Sequence, residues 1–169
     1  VTFPETVKEI GERAFSSCKS LDRVIVNGDG TIIDDYAFSG CENLRSVSLN
    51  GSIASLGERV FAYCSSMTTL NITDNIKSID NFAFYTPDDS YYKKIAIIGS
   101  KNSNAEKFAK EKNMIFGVFA DINGDEKRNI ADAVTLQKWI LNYPDVKIPV
   151  WQTADLVDDG VINVLDLSR

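Results

Sequence analysis

Apolar residues in the first half of the chain recur every 23 residues. The recurring pairs are Ala14-Phe15, Ala37-Phe38, Val60-Phe61 and Ala83-Phe84. In each copy an isoleucine or leucine stands four residues before this pair. Two apolar residues at a spacing of two, such as Val24 and Val26, follow it, as in a strand with one buried face. One copy cannot bury its apolar face alone, so the pattern predicts a stacked solenoid with a short parallel sheet.

Both ends of the repeated region carry further predicted elements. Residues 1–3 are in phase with residues 24–26, so we expect the chain to open on the strand of a preceding repeat. Segment 100–116 predicts a capping helix with Phe108 turned inward, followed by a final strand. A capping segment with a polar outer face is what the end of a solenoid requires.

The fourth copy is interrupted by an insertion of two residues. If Tyr92 takes the leucine position of the repeat, Ile95 and Ile97 become the next strand. The aromatic and acidic residues of this stretch are Tyr85, Asp88, Asp89, Tyr91 and Tyr92. They indicate either a ledge that stacks a sugar or binds a partner, or a packed Tyr92 beside a solvated loop.

All three cysteines stand at the same place in the repeat, at Cys18, Cys41 and Cys64. This phase predicts a ladder of buried thiols, because cysteine packs as a small hydrophobe. Stacked turns also bring neighbouring cysteines close, so a disulfide stays open as an alternative. The sequence contains no histidine, which excludes Ser-His-Asp and Cys-His catalysis, histidine-ligated zinc and an imidazole pH switch.

The repeat unit reads I-x-x-x-A-F-x-x-C-x-x-L-x-x-V-x-V. In composition and phase it resembles the bacterial surface-antigen (BspA-like, treponemal) leucine-rich repeats, over residues 1–119. The resemblance implies a secreted, extracellular or cell-surface location in a bacterium. It also implies that the repeats bind a protein or a carbohydrate, without naming the ligand.

Two acidic twelve-residue segments, 121–132 and 155–166, lie 34 residues apart near the C-terminus. A calcium loop places oxygen ligands at positions 1, 3, 5, 9 and 12 and a backbone carbonyl at position 7. The first segment offers Asp121, Asn123, Asp125, the carbonyl of Lys127, Asn129 and Asp132. The second offers Asp155, Asp159, the carbonyl of Val161, Asn163 and Asp166. The pattern predicts two Ca²⁺ ions, the second more weakly bound because Val157 supplies no side-chain oxygen at position 3.

Each loop runs into an apolar helical pattern but lacks the preceding helix of a full EF-hand. The apolar residues after the first loop are Val134, Leu136, Ile140 and Leu141, with Trp139 beside them, and Tyr143-Pro144 ends the helix. The D-x-N-x-D-x-x-x-N-x-x-D core with this loop-then-helix order resembles a dockerin, a pair of half EF-hands, over residues 120–169. We expect a matching second helix after loop two, cut short at Arg169.

The dockerin resemblance implies docking to a cohesin module of a scaffoldin, in a cellulosome devoted to polysaccharide degradation or on a bacterial surface. The residues that it implies for cohesin contact are Ile130, Ala131, Gln137, Lys138, Leu141, Asn142, Val164 and Leu165. For Ile130 and Val164, a core contact between the paired loops is the alternative.

The composition narrows the function further. A net charge of −6 and a pI near 4.7 disfavour nucleic acid, whose phosphates require a basic face. No apolar run reaches the length of a membrane span.

Taken together, the repeats and the two acidic loops predict an α/β leucine-rich repeat solenoid over residues 1–119. A short link around residues 117–120 and a small all-α, calcium-binding dockerin over residues 120–169 follow it.

The predicted function is that of a non-catalytic adaptor, because the chain presents no nucleophile with its base. Two alternatives stay open. One is the C-terminal part of a larger enzyme whose catalytic domain precedes residue 1. The other is a calcium sensor, although a sensor uses a methionine-rich groove and the sequence has only Met67 and Met114.

Overall fold

The computed structural model describes residues 1–72, 76–87, 92–125, 127–155, 162 and 166. The strands within these ranges are β1 (Thr2–Phe3), β2 (Glu9–Ile10), β3 (Arg23–Val26), β4 (Thr31–Ile33), β5 (Ser46–Leu49), β6 (Ile53–Leu56), β7 (Thr69–Ile72), β8 (Ser78–Ile79), β9 (Ala96–Gly99) and β10 (Ile115–Val118). The α-helices are α1 (Asn104–Glu111) and α2 (Ile130–Ile140), and Tyr92–Lys94 and Trp151–Thr153 form 3₁₀ turns. None of the helices in these ranges has the length and hydrophobicity needed to cross a bilayer.

Within the described residues, the predicted parallel sheet has six strands in the order β1-β3-β5-β7-β9-β10. Its strands pair in the 23-residue register of the sequence, with Val24 opposite Val47 and Val47 opposite Leu70. Phe3 pairs with Val26, so the first residues keep the predicted phase. In the described residues no α-helix lies between β1 and β9. The repeats are therefore a parallel β-solenoid of the leucine-rich repeat type with few helices, and the α/β class predicted for them is corrected.

A second parallel sheet, absent from the sequence prediction, has the order β2-β4-β6-β8. It contains the isoleucine or leucine that precedes each Ala-Phe pair, and Ile10 pairs there with Ile33 and Ile33 with Leu56. The core between the two sheets is a column of phenylalanine rings. Consecutive centroids lie 5.5 Å apart for Phe15–Phe38, 5.9 Å for Phe38–Phe61 and 5.4 Å for Phe61–Phe84.

The predicted cap closes this column. The Ser103 side chain accepts a hydrogen bond from the Glu106 backbone N–H at 3.2 Å and begins α1. Phe108 is buried, and its ring lies 6.0 Å from that of Phe84. After α1, β10 pairs in parallel with β9. The capping helix, the inward Phe108 and the final strand are confirmed.

All three cysteines lie within the described residues and are free thiols. Cys41 and Cys64 are buried, and Cys18 is half-buried in the first turn of the array. The ladder of thiols is confirmed in place of a disulfide.

The register predicted after the insertion was wrong. Ile97 pairs with Leu70, an offset of 27 residues, so Ile97 takes the first apolar position of the strand and not the second. The N–H of Ile95 donates to the carbonyl of Tyr92 at 3.0 Å, just as Met67 donates to Cys64 at 2.9 Å. Ile95 therefore fills the buried position that was predicted for Tyr92, which packs half-buried at the edge of the core.

The link predicted around residues 117–120 is partly a strand, because Gly117 and Val118 end β10. Segment 150–154 packs against this strand. The Ala120 N–H donates to the Thr153 carbonyl at 3.2 Å, and the Thr153 hydroxyl donates to the Asp121 carbonyl at 3.1 Å. These contacts place the start of the first predicted calcium loop beside the last strand of the solenoid.

Candidate calcium, docking and ligand sites

The first predicted calcium loop folds around the carboxylate of Asp132. Its Oδ1 accepts hydrogen bonds from the backbone N–H groups of Ile122, at 2.8 Å, and Asn123, at 3.2 Å. Its Oδ2 accepts from the N–H of Asn129 at 2.8 Å, which completes a capping box at the start of α2. Asp132 therefore joins the beginning of the loop to the beginning of the helix.

The middle positions of this loop hydrogen-bond to their own backbone. Asn123 Oδ1 accepts from the Asp125 N–H, and Asp125 Oδ1 accepts from the Lys127 N–H, both at 2.9 Å. Asn129 Oδ1 accepts from the Ala131 N–H, also at 2.9 Å. In Gly124, at position 4, φ is +75°, a left-handed conformation that glycine adopts without strain. The loop is thus tightly wound by side chains of the predicted ligand set.

The residues at positions 1 and 12 of both loops are buried aspartates: Asp121, Asp132, Asp155 and Asp166. Aspartate is rarely buried unless it is paired or coordinates a metal. All predicted ligand atoms are oxygens, which suits Ca²⁺ and disfavours softer metals. The donor chemistry therefore fits calcium.

The acidic side chains of the predicted calcium loops are less closely grouped around one point than the sequence suggested. In the described part of the chain, no three acidic or cysteine side chains gather as a metal-binding group. In loop one this agrees with Asp125, which is exposed and turned onto the N–H of Lys127. Asp159, Val161, Asn163 and Val157 lie outside the described residues.

Helix α2 presents an apolar stripe to solvent. At 3.6 residues per turn, positions 130, 134, 137 and 141 fall on one side of a helix. Ile130 is 78% exposed and Leu141 62%, and Val134 and Gln137 are also exposed. Of the other predicted contact residues, Lys138 and Asn142 are exposed and Ala131 is half-buried, whereas Val164 and Leu165 lie outside the described residues. The alternative of a core contact for Ile130 is wrong.

The opposite face of α2 forms a small core that the sequence analysis identified only in part. Leu136 is buried against Ile122 and Ala154, and Ile140, Ile148 and Ile162 pack around them. Val134 and Leu141, which were expected on the same apolar face, point instead to solvent. The sequence does mark this core by an apolar residue next to the first aspartate of each loop. These residues are Ile122, after Asp121, and Ala154, before Asp155.

On the solenoid, arginine and tyrosine side chains stack in a column across successive turns. The guanidinium carbon of Arg13 lies 4.7 Å from the centroid of the Tyr36 ring, and that of Arg59 lies 4.9 Å from the Tyr85 ring. Arg59 Nη1 also donates to the Tyr36 hydroxyl at 3.1 Å, and this hydrogen bond raises the pKa of Arg59. Arg13, Tyr36 and Arg59 all have positive φ, so this column follows a recurring left-handed turn.

A cleft of about 180 Å³ lies next to Tyr85, at the end of this arginine–tyrosine column. Described residues that line it include Phe82, Tyr85, Tyr92, Phe108 and Lys112. Two of the predicted tyrosines therefore border a real concavity, while Tyr91, Asp88 and Asp89 lie outside the described residues. The sequence missed Phe82, whose signal was an aromatic residue at the repeat position of Arg13, Tyr36 and Arg59.

The repeats match the family model of the BspA type leucine rich repeat region, in six copies over residues 1–113. The chain belongs to the BspA-type leucine-rich repeat family. Repeats of this family indicate a protein-interaction module.

The chain is also similar to the crystal structure of a T. pallidum leucine-rich repeat protein, at 17% sequence identity and a TM-score of 0.41. The match covers 85% of this chain and 83% of the treponemal one. No curated protein matches the chain.

Proposed function

We propose that this protein is a non-catalytic adaptor, secreted or held at a bacterial surface as part of a cellulosome. Its BspA-type repeats bind a protein or carbohydrate ligand. Residues 120–169 form a dockerin that binds a scaffoldin cohesin in a calcium-dependent way. The observation that carries this proposal is the burial of an aspartate at positions 1 and 12 of both loops.

Three backbone N–H groups stabilise the buried carboxylate of Asp132, but four buried carboxylates in one small segment also repel one another, and a bound cation would neutralise them. In loop one, Asp121, Asn123, Asp125, Asn129, Asp132 and the carbonyl of Lys127 would hold one Ca²⁺. In loop two, Asp155 and Asp166 would hold another with Asp159, Asn163 and the carbonyl of Val161. Calcium supplies charge compensation when bound, and its binding free energy adds to that of folding. The second ion binds more weakly, since Val157 offers no side-chain oxygen.

The exposed stripe of α2 supports the docking role. Ile130 and Leu141 stand at its two ends, three helical turns apart, and Gln137 lies between them with Lys138 at its side. Exposed apolar residues that share a helix face indicate an interaction surface. Asp132 ties this helix to loop one, so calcium in the loop would hold the stripe in place for the cohesin.

Calorimetric titration of the chain with a panel of cohesins, in calcium and in excess chelator, tests this function. We expect tight binding in calcium and its loss in chelator. Leu141→Ser should weaken binding at least about tenfold, because burial of a leucine side chain contributes about 1.5–3 kcal/mol and about 1.4 kcal/mol corresponds to tenfold. Tyr143→Ser is the matched control, since Tyr143 is 55% exposed but follows the helix.

Calcium binding without any cohesin binding would instead favour the sensor. The positions of the methionines weigh against a sensor, however. Met67 and Met114 are both buried in the repeat core, so they supply no methionine-rich groove on α2. Binding of neither calcium nor cohesin would reject the dockerin altogether and leave the repeats as the functional part of this chain.

A further inference from the structure

Phe82 differs from the residues that occupy the same position in the preceding repeats. The equivalent residues Arg13, Tyr36 and Arg59 have left-handed backbone and side chains that end in a polar group. Phe82 lacks the left-handed conformation, and its N–H donates to the Asp80 carboxylate at 2.7 Å. Its ring is 53% exposed and has no polar atom to offer solvent. Phe82 shares its cleft with the rings of Tyr85 and Tyr92, and such a contiguous aromatic patch indicates a contact surface.

The ring of Phe82 forms one wall of the cleft. It meets the ring of Tyr85 edge to face, with centroids 5.7 Å apart and planes at 82°. The guanidinium of Arg59 lies 4.9 Å from the Tyr85 ring, which supports that ring within the column. The floor is apolar and consists of Phe84, Phe108 and Met114. The wall thus consists of two aromatic rings in contact with each other, and each has only two side-chain torsions to order when a ligand binds.

Polar groups stand around this apolar interior. Asn81 contributes an exposed amide and Lys112 an ammonium group that lies 5.9 Å from the Phe108 ring. Of the described lining residues, Lys112 alone carries a charge, so the cleft lacks the several cationic donors that recognition of an anion uses and favours an uncharged ligand.

We propose that this cleft binds one pyranose ring of a neutral polysaccharide. The apolar C–H face of the sugar stacks on Phe82, and its hydroxyls hydrogen-bond to Asn81 and Lys112. The cleft places aromatic rings beside an amide and an ammonium group, which is the combination that the apolar face and the hydroxyls of a sugar ring require. This assignment rests on the proposed role of the repeats as a ligand-binding module and names the class of their ligand.

Affinity electrophoresis of the full chain tests the proposal, in native gels that contain hydroxyethylcellulose, xyloglucan, galactomannan or, as the acidic comparison, polygalacturonate. We expect retardation by at least one neutral polysaccharide. Phe82→Ala should weaken it about fivefold to tenfold, and Phe82→Tyr should retain it. Tyr63→Ala is the matched control, because Tyr63 is 54% exposed on the same solenoid but does not line the cleft.

Equal losses in Phe82→Ala and Tyr63→Ala, or retardation by no neutral polysaccharide, would overturn the proposal. So would retardation by polygalacturonate alone, or a proline-rich peptide that binds the wild-type chain and not Phe82→Ala. The gels are run in calcium and in chelator. Sugar binding that persists in chelator separates this site from docking, so that cohesin binding without sugar binding rejects only this inference.

Discussion

The thiol of Cys64 donates a hydrogen bond to the backbone carbonyl of Phe38 at 3.2 Å. Cys41 repeats this bond one turn earlier, to the carbonyl of Phe15 at 3.0 Å. Each buried thiol thus satisfies a carbonyl of the preceding turn, and the cysteine ladder serves hydrogen bonding as well as packing. Desolvation by burial, with a smaller contribution from Cys41, raises the pKa of Cys64 from 9.0 to about 12.

This raised pKa predicts a loss of stability in alkaline solution. Between pH 9 and 12 the folded protein keeps the Cys64 proton while the unfolded chain releases it, so a rising pH favours unfolding. The contribution of this thiol to the free energy of unfolding should be constant below about pH 9. Above that pH it should fall by about 1.4 kcal/mol per pH unit. Urea denaturation of wild type and Cys64→Ala at pH 8 and pH 10 measures the difference. An identical pH dependence of the two proteins would contradict the prediction.

Removal of a ring from the phenylalanine column should be severe. Phe61 is fully buried between Phe38 and Phe84, and Phe61→Ala leaves a cavity that costs about 3–5 kcal/mol in the free energy of unfolding. Tyr63→Ala, two residues away and exposed, should change it by less than about 0.5 kcal/mol. Urea midpoints of the two variants test this contrast. A small effect of Phe61→Ala would show that the turns can collapse onto the gap.

A methyl group at Gly117 should disturb the contact between the last strand and segment 150–154. A Cβ there would lie 2.7 Å from Thr153 Cγ2 and 3.1 Å from Val150 Cγ1. Overpacking of this kind costs about 1–3 kcal/mol. Gly11→Ala is the control, since its Cβ would approach only the Glu9 carboxylate, at 3.9 Å. Hydrogen exchange of residues 119–123 should quicken in Gly117→Ala alone, and unchanged exchange there would refute the tight packing.

Chelation of calcium should loosen residues 120–155 and leave the solenoid intact. Without the cation the buried aspartates repel one another, because the site and the fold form together. Trypsin, which cleaves after Lys127, Arg128 and Lys138, should therefore cut this segment faster in chelator. Calcium protection should disappear in Asp121→Asn and persist in Asp145→Asn, whose side chain is exposed between the loops. Equal cleavage with and without calcium would count against both predicted sites.

The candidate site was predictable where ligand type and spacing carry the information. Spacing alone marked Asp121 and Asp132, and both are buried. It could not show that Asp125 turns onto the N–H of Lys127, because a short side chain chooses between a cation and a nearby backbone donor by local geometry. Nor could it orient Ile130, since a helix has two apolar faces here and only the position of Ile122 and Ala154 decides which is covered.

The sequence by itself determined the 23-residue register, the recurrence of phenylalanine at one position of each repeat, the thiol ladder and the cap with Phe108. Each of these follows from a local pattern repeated in phase, which stacking neighbours must reproduce. Only the tertiary structure decided the second sheet, the pairing of Ile97 with Leu70 after the insertion, and the packing of segment 150–154 on Gly117. These features depend on the path of the chain between segments distant in sequence, where no periodicity constrains which residues meet.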